Sequence, residues 1–203
     1  MIYNGDRLWF VDNWVGENEA DKLISALGNT EHLTTIDMSL DWLRDVGIIL
    51  LAKALKNNNS LVNLNVSCND FHTKGLSALV DSLKTQQHLS SVDLSYNFLD
   101  VNSASYISDL IYQNKSLSNL NLRSNQIGDA GAEIIAKSLS KNTGLVSLDL
   151  SDNKISEKGV SCLIEGALKH KKLIRLNVSY NHFNLDNVKK INKKLTKKLK
   201  IIV

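Results

Sequence analysis

The chain has 203 residues, 43% hydrophobic and 22% charged, which is enough apolar material for a continuous core; it contains no proline and so no proline-rich linker. The longest apolar run, Ile48 to Ala52, falls far short of the ~20 residues that span a bilayer, and the start, Met1-Ile2-Tyr3-Asn4-Gly5-Asp6, lacks the basic and apolar stretches of a secretory signal. The net charge of +3 is uneven: residues 1–168 hold 13 Lys/Arg against 20 Asp/Glu (net −7), and residues 169–203 hold 11 Lys/Arg against the single acid Asp186 (net +10).

Taken in chain order, one phrase recurs every 28 residues. It opens with Leu33, Leu61, Leu89, Leu117, Leu145 and Leu173. Three residues on stand Ile36, Leu64, Val92, Leu120, Leu148 and Leu176, and two further Met38, Val66, Leu94, Leu122, Leu150 and Val178. Asp41, Asn69, Asn97, Asn125, Asn153 and Asn181 follow, and then an apolar residue: Leu43, Phe71, Leu99, Ile127, Ile155 or Phe183. A degenerate first copy has Gly5, Leu8, Phe10, Asn13 and Val15 at these positions, as a terminal repeat with one face toward water would. The expected organisation is one domain over 1–203 with seven repeats: 5–32 as the N-terminal cap, 33–60, 61–88, 89–116, 117–144, 145–172, and 173–203 as the C-terminal cap.

Each phrase predicts a local structure. Alternation such as Leu148-Asp149-Leu150 predicts a short strand with one buried face. The asparagine is expected to satisfy backbone groups in the turn that leaves the strand. Gly47, Gly75, Gly131 and Gly159 are expected where the backbone needs freedom. The i, i+4 pairs Leu51/Leu55, Leu79/Leu83, Ile107/Ile111 and Ile135/Leu139 predict helices packed on the strand layer. A strand and a helix per repeat, always in that order, give an α/β solenoid with a parallel concave sheet, outer helices and right-handed crossovers.

On these residues, and above all the phrase Leu145-Val146-Ser147-Leu148-Asp149-Leu150-Ser151-Asp152-Asn153-Lys154-Ile155, the chain resembles the leucine-rich-repeat superfamily and its ribonuclease-inhibitor-like subfamily. The resemblance spans about 5–200 and implies a horseshoe segment that binds proteins through its concave strands and adjoining loops. Ribonuclease inhibitors themselves are longer and rich in cysteine, so that activity is not expected here. Similar repeats occur in activators of a nuclear-transport GTPase, in actin filament cappers and in innate immune receptors. The activators end in an acidic tail, whereas this chain ends in lysines. Phrases such as Ala54-Leu55-Lys56-Asn57-Asn58-Asn59-Ser60 also resemble stand-alone arrays delivered into host cells by intracellular bacteria. That likeness implies an effector acting on a host protein in the host cytoplasm. Control of a small GTPase or of actin assembly is the alternative.

Residues that carry chemistry are sparse. No phosphate-binding glycine pattern, zinc-spaced Cys/His cluster or HExxH helix occurs, so no cofactor, metal or catalytic residue is expected. His32, His72, His88, His170 and His182 read as surface or turn residues. Cys68 and Cys162 fall at different repeat positions and read as free thiols in a reducing cytoplasm. Asn65 and Asn177 match a glycan acceptor pattern, yet they lie inside predicted strands, where a glycan would block the sheet.

The candidate site is a protein-binding face. Asp37, Asp93 and Asp149 alternate with Asn65, Asn121 and Asn177 along the open strand face, bounded by Arg7 and Arg175 and interrupted by Arg123. Neighbouring strands are about 4.8 Å apart, so alternation separates the carboxylates and weakens their repulsion; duplication of a two-repeat unit explains it equally well. Trp9, Trp14, Trp42, Tyr96, Phe98 and Tyr180 add large aromatic anchors, the residue types that dominate binding energy. Trp9 and Trp14 read equally as closing the N-terminal end of the core. The expected partner is a protein with a basic or amide-rich surface.

The lysines from Lys189 to Lys200 alternate with Val188, Ile191, Leu195, Leu199 and Ile202 at helical spacing. This helix reads first as a C-terminal cap with a polar outer face, and second as a membrane-surface adaptor. Nucleic-acid binding is not expected, because the open face is acidic. A monomer or weak dimer is expected, and Ile201-Ile202-Val203 can begin another strand.

Overall fold

A computed structural model describes residues 33–184 and 199–203 with their side chains, and the backbone of residues 2–4 and 7–9. The strands are β1 (Ile2–Asn4), β2 (Arg7–Trp9), β3 (Thr35–Asp37), β4 (Asn63–Asn65), β5 (Ser91–Asp93), β6 (Asn119–Asn121), β7 (Ser147–Asp149), β8 (Arg175–Asn177) and β9 (Lys200–Ile202). Among the described residues the helices are α1 (Arg44–Leu55), α2 (Thr73–Leu83), α3 (Ala104–Gln113), α4 (Gly128–Leu139) and α5 (Glu157–Lys169). The nine strands among the described residues form one sheet in chain order, β1 antiparallel to β2 and β2 to β9 parallel. Register follows the repeat, with Ile36 beside Leu64, Leu64 beside Val92 and Leu148 beside Leu176. None of the described helices is long and apolar enough to cross a membrane.

The strands are three residues long because only their central residue points inward: from β3 to β7 it is buried between two exposed or half-buried neighbours. The flanking leucines complete one core layer, and the predicted helix pairs from Leu51/Leu55 to Ile135/Leu139 complete the other, all buried. β9 confirms that the C-terminal residues form another strand, paired with β8 through Leu176 and Ile201. β1 was not expected. Gly5 and Asp6 separate it from β2, and such pairs are favoured in two-residue hairpin loops, so the signal was present.

The conserved-phase glycines have a different cause from the one expected. Gly47, Gly75, Gly131 and Gly159 sit inside helices and none has a positive φ; Gly128 alone among the described glycines does. What they provide is space. A Cβ on Gly75 would lie 2.8 Å from Oδ1 of Asp45, and one on Gly159 would lie 2.6 Å from Oδ1 of Asp129. Each aspartate comes from the preceding repeat and binds the start of the next helix: Asp45 accepts the N–H groups of His72 and Gly75 at 3.0 and 2.7 Å. Carboxylates are favoured there because the first turn of a helix has unpaired N–H groups and a positive dipole end. The pair becomes Thr73 and Ser103 at the next junction, joined by their hydroxyls at 2.7 Å, and α3 packs more loosely on α2 than α1 does.

Candidate functional site

The open strand face is a network of internal hydrogen bonds. Oδ1 of Asp37 accepts both the N–H and the hydroxyl of Ser39, and Asp93 with Ser95 and Asp149 with Ser151 repeat the arrangement at 2.6–2.9 Å. The second oxygen of Asp93 accepts the side-chain amide of Asn121 at 2.9 Å, and that of Asp149 accepts Asn177 at 2.7 Å. Alternation of aspartate and asparagine therefore matches acceptor to donor across adjacent strands, besides separating the charges. Both sequon asparagines are engaged, Asn65 accepting from Ser67 and Asn177 bonded to Asp149.

The chain turns sharply where it leaves each strand. Leu40, Cys68, Tyr96, Ser124, Asp152 and Tyr180 occupy one column in the left-handed region, with φ between 53° and 64°. Beneath it runs the asparagine ladder. The side-chain amide of Asn97 donates to the carbonyls of Val66, Leu94 and Ser95, and its Oδ1 accepts the N–H of Asn69. Asn69, Asn125, Asn153 and Asn181 repeat this with small changes. With every ladder residue anchored inward, the residues on either side of it are forced outward.

That geometry divides the candidate residues into two surfaces. Asp37, Asp93 and Asp149 are half-buried on the strand face, whereas Trp42, Tyr96, Phe98, Arg123 and Tyr180 stand on the rim where strands exit. The two groups do not form the single strand-face site that the sequence suggested, because the turn directs the side chains on either side of the ladder residue away from the sheet. Rim exposure is high: 56% for Trp42, 47% for Tyr96, 41% for Phe98 and 78% for Tyr180, with Leu40 at 60%. Arg123 reaches along the rim, its guanidinium carbon 5.7 Å from the ring centre of Tyr96 and 5.8 Å from that of Tyr180. Phe98 stacks on His72 at 5.1 Å. Trp9 lies in β2, paired in register with Asp37, and Arg7 with Thr35; the side chains of Arg7 and Trp9, and Trp14, Phe10 and the helix expected from the lysine-rich segment, lie outside the described residues.

Leu40, Trp42, Cys68, Asp70 and Tyr96 line a cavity of about 270 Å³ on this rim. Leu40, Cys68 and Asp70 were not among the expected site residues, although Leu40 stands two repeats and Cys68 one repeat before Tyr96, and Asp70 one repeat before Phe98. Burial pushes the Cys68 thiol up, and the charges of Asp93 and Asp70 push it further, against a hydrogen bond with Ser67. Cys68 and Cys162 are both free, Cys162 on the helix layer in α5.

A second ladder at the opposite edge also escaped the sequence reading. Asn58, Gln86, Asn114, Asn142 and His170 recur every 28 residues, buried at the helix exits. Asn114 donates to the carbonyls of Leu83 and Gln86 and accepts from Ser116 and Leu117. Nδ1 of His170 accepts the N–H groups of Lys172 and Leu173, which leaves Nε2–H to donate to Asn142. His170 is thus a buried structural residue, while His72, His88 and His182 are exposed.

A family model described as Leucine Rich repeat matches residues 57–80, 113–136 and 141–163. No curated protein matches the chain significantly. Among solved structures, that of "Leiomodin-1 Actin-Binding Site 2" is similar with a TM-score of 0.56 and 22% identity, over 63% of this chain and 76% of that one. The tropomodulin C-terminal domain of Caenorhabditis elegans is similar with a TM-score of 0.54 and 13% identity, over 86% of this chain and 90% of that one. At such identities the likeness concerns the fold. The in-phase leucines, the parallel sheet in strict chain order and the matched repeats agree: the chain carries leucine-rich repeats and folds as an α/β leucine-rich-repeat solenoid.

Proposed function

We propose that this chain is a non-enzymatic interaction module that holds a partner protein against its strand-exit rim and the adjoining strand face. The observation that carries the reading is the row of exposed side chains, Leu40, Trp42, Tyr96, Phe98 and Tyr180, on a backbone fixed by the asparagine ladder. Contiguous exposed apolar surface marks contact sites, and rigid anchors lose little entropy on binding. The mechanism is occupancy: the module blocks, recruits or scaffolds, and no bond is made or broken. The strand face supplies an acidic flank that favours a basic or amide-rich partner surface. Capture from a eukaryotic lysate tests this. Wild type retains a partner that a folded Trp42→Ala, Phe98→Ala, Tyr180→Ala variant loses by at least ten-fold, in line with the ~2 kcal/mol or more of a hot-spot truncation. Equal retention by both overturns the site.

A second reading, regulation of actin assembly, is favoured by the likeness to an actin-binding site of leiomodin-1 and to a tropomodulin domain. Co-sedimentation with filamentous actin and a filament-end elongation assay test it; unchanged elongation and no co-sedimentation overturn it. Delivery into a host cell, the ribonuclease-inhibitor-like subfamily and control of a small GTPase rest on the repeat phrases alone, and attachment to a membrane on the lysine-rich segment alone.

A further inference from the structure

We infer that the rim cleft between Trp42 and Tyr96 is a receptor for one basic side chain, a lysine or arginine, of the partner protein. The inference rests on the interaction reading above and names the chemistry of its central contact.

Three features converge on that chemistry. The walls are two aromatic rings, whose faces attract a cation placed within about 6 Å. Tyr96 already does so within this chain, carrying the guanidinium of Arg123 at 5.7 Å. The cleft also holds Asp70, whose carboxylate has no ion pair or side-chain hydrogen bond among the described residues. Leu40 completes the lining with an apolar surface that suits the methylene stem of a long basic side chain. Carboxylates at Asp70 and Asp93 both act on Cys68 in the lining, so the field within the cleft is negative. Arg123 opposes a second cation on the ring of Tyr96, and this places the incoming charge at Trp42 and Asp70. An acidic or purely apolar occupant would leave the carboxylate of Asp70 unpaired and partly desolvated, which is costly.

Backbone geometry makes the test clean. Trp42 and Asp70 both have positive φ, 52° and 54°, a region that asparagine enters more readily than most residues, so Asp70→Asn removes the charge without disturbing the turn. The full chain, labelled with nitrogen-15, is titrated with the blocked peptide Ac-Gly-Ser-Lys-Ser-Gly-amide and with its norleucine counterpart. The lysine peptide is expected to move the Trp42 indole signal and the Asp70 and Tyr96 amide signals saturably, the norleucine peptide at least five-fold more weakly. Asp70→Asn weakens the lysine peptide about five-fold, and Trp42→Leu, which keeps an apolar wall but removes the ring, does the same at the remaining signals. Equal response to both peptides, or an unchanged affinity in Asp70→Asn, overturns the assignment. Lysate capture separates the two levels: a partner lost by the triple rim variant but held fully by Asp70→Asn sinks the cation receptor and leaves the rim reading standing. Loss by both supports both, and loss by neither overturns both.

Discussion

Neighbouring residues of the same turns meet opposite fates. Asn97 is buried, and its side chain bridges three carbonyls and an N–H group, whereas Tyr96 and Phe98 on either side of it stand in solvent. The carboxylates divide in the same way, Asp149 and Asp129 bonded inside the chain and Asp70 left open. The difference shows that the repeat specifies a scaffold by satisfying its polar groups internally, and leaves function to the positions that the scaffold does not need. Polar groups that are buried and bonded hold the structure; apolar groups that are exposed and idle await a partner.

The sharpest way to break this division is on its buried side. Asn97→Ala removes the acceptor of the Asn69 and Phe71 N–H groups and the donor to the Val66 carbonyl, while the carbonyls of Leu94 and Ser95 keep the Asn125 amide and the Cys68 N–H, at a cost of about 3 kcal/mol in unfolding free energy. Urea denaturation followed by circular dichroism measures it, and a loss below a quarter of that figure would show that water replaces the ladder without penalty.

Among the carboxylates the contrast carries a pH signature. Burial raises the pKa of Asp129, but bonds from the Ser156 hydroxyl and from the N–H groups of Ser156 and Gly159 outweigh it and hold the group below its ordinary 3.8. A carboxyl with a lowered folded pKa stabilises the fold above that ordinary value, and the contribution is lost as pH falls through the lowered one. Asp129→Ala is therefore expected to cost about 2 kcal/mol at pH 7, and the gap to wild type should close as pH drops below about 4. Melting curves from pH 7 to pH 2.5 check this; a gap that stays constant would mean that the hydrogen bonds do not depend on charge. Asp100, held low by Asn102, Thr73 and Ser103 against its own burial, adds to the same acid limb.

Reading the residues alone captured the scaffold because its signal is periodic. Leucines and asparagines in phase name the buried strand positions, the helix pairs and the ladder, and all of these stand where expected. What escaped was aperiodic in residue type. The ladder at the helix exits is built from asparagine, glutamine and histidine, three side chains that do the same work with different letters, so His170 looked like a turn residue. Gly75 and Gly159 signal a need for space that becomes visible only once Asp45 and Asp129 arrive from the preceding repeat. The separation of rim from strand face depends on left-handed φ values at Leu40, Cys68 and Tyr96, residues whose types do not announce that conformation. Asp70 was passed over for a related reason: on a mildly acidic body a single aspartate is unremarked until its neighbours prove to be two aromatic rings.

The smallest expected effect tests the comparison from its exposed side. Tyr180 is 78% exposed, and among the described residues its one ring contact is with Arg123, so Tyr180→Ala removes little buried area and one cation–π contact. Stability should change by no more than about 0.5 kcal/mol, the scale of an exposed contact of this kind. Mobility should change more than stability, because among the described residues Arg123 keeps one ring, Tyr96, and gains freedom along the rim. Nitrogen-15 relaxation of the Arg123 side chain, measured beside the urea midpoint, separates the two. A midpoint that shifts as far as in Asn97→Ala would place Tyr180 with the scaffold, and the rim would then have to be counted as part of what holds the solenoid together.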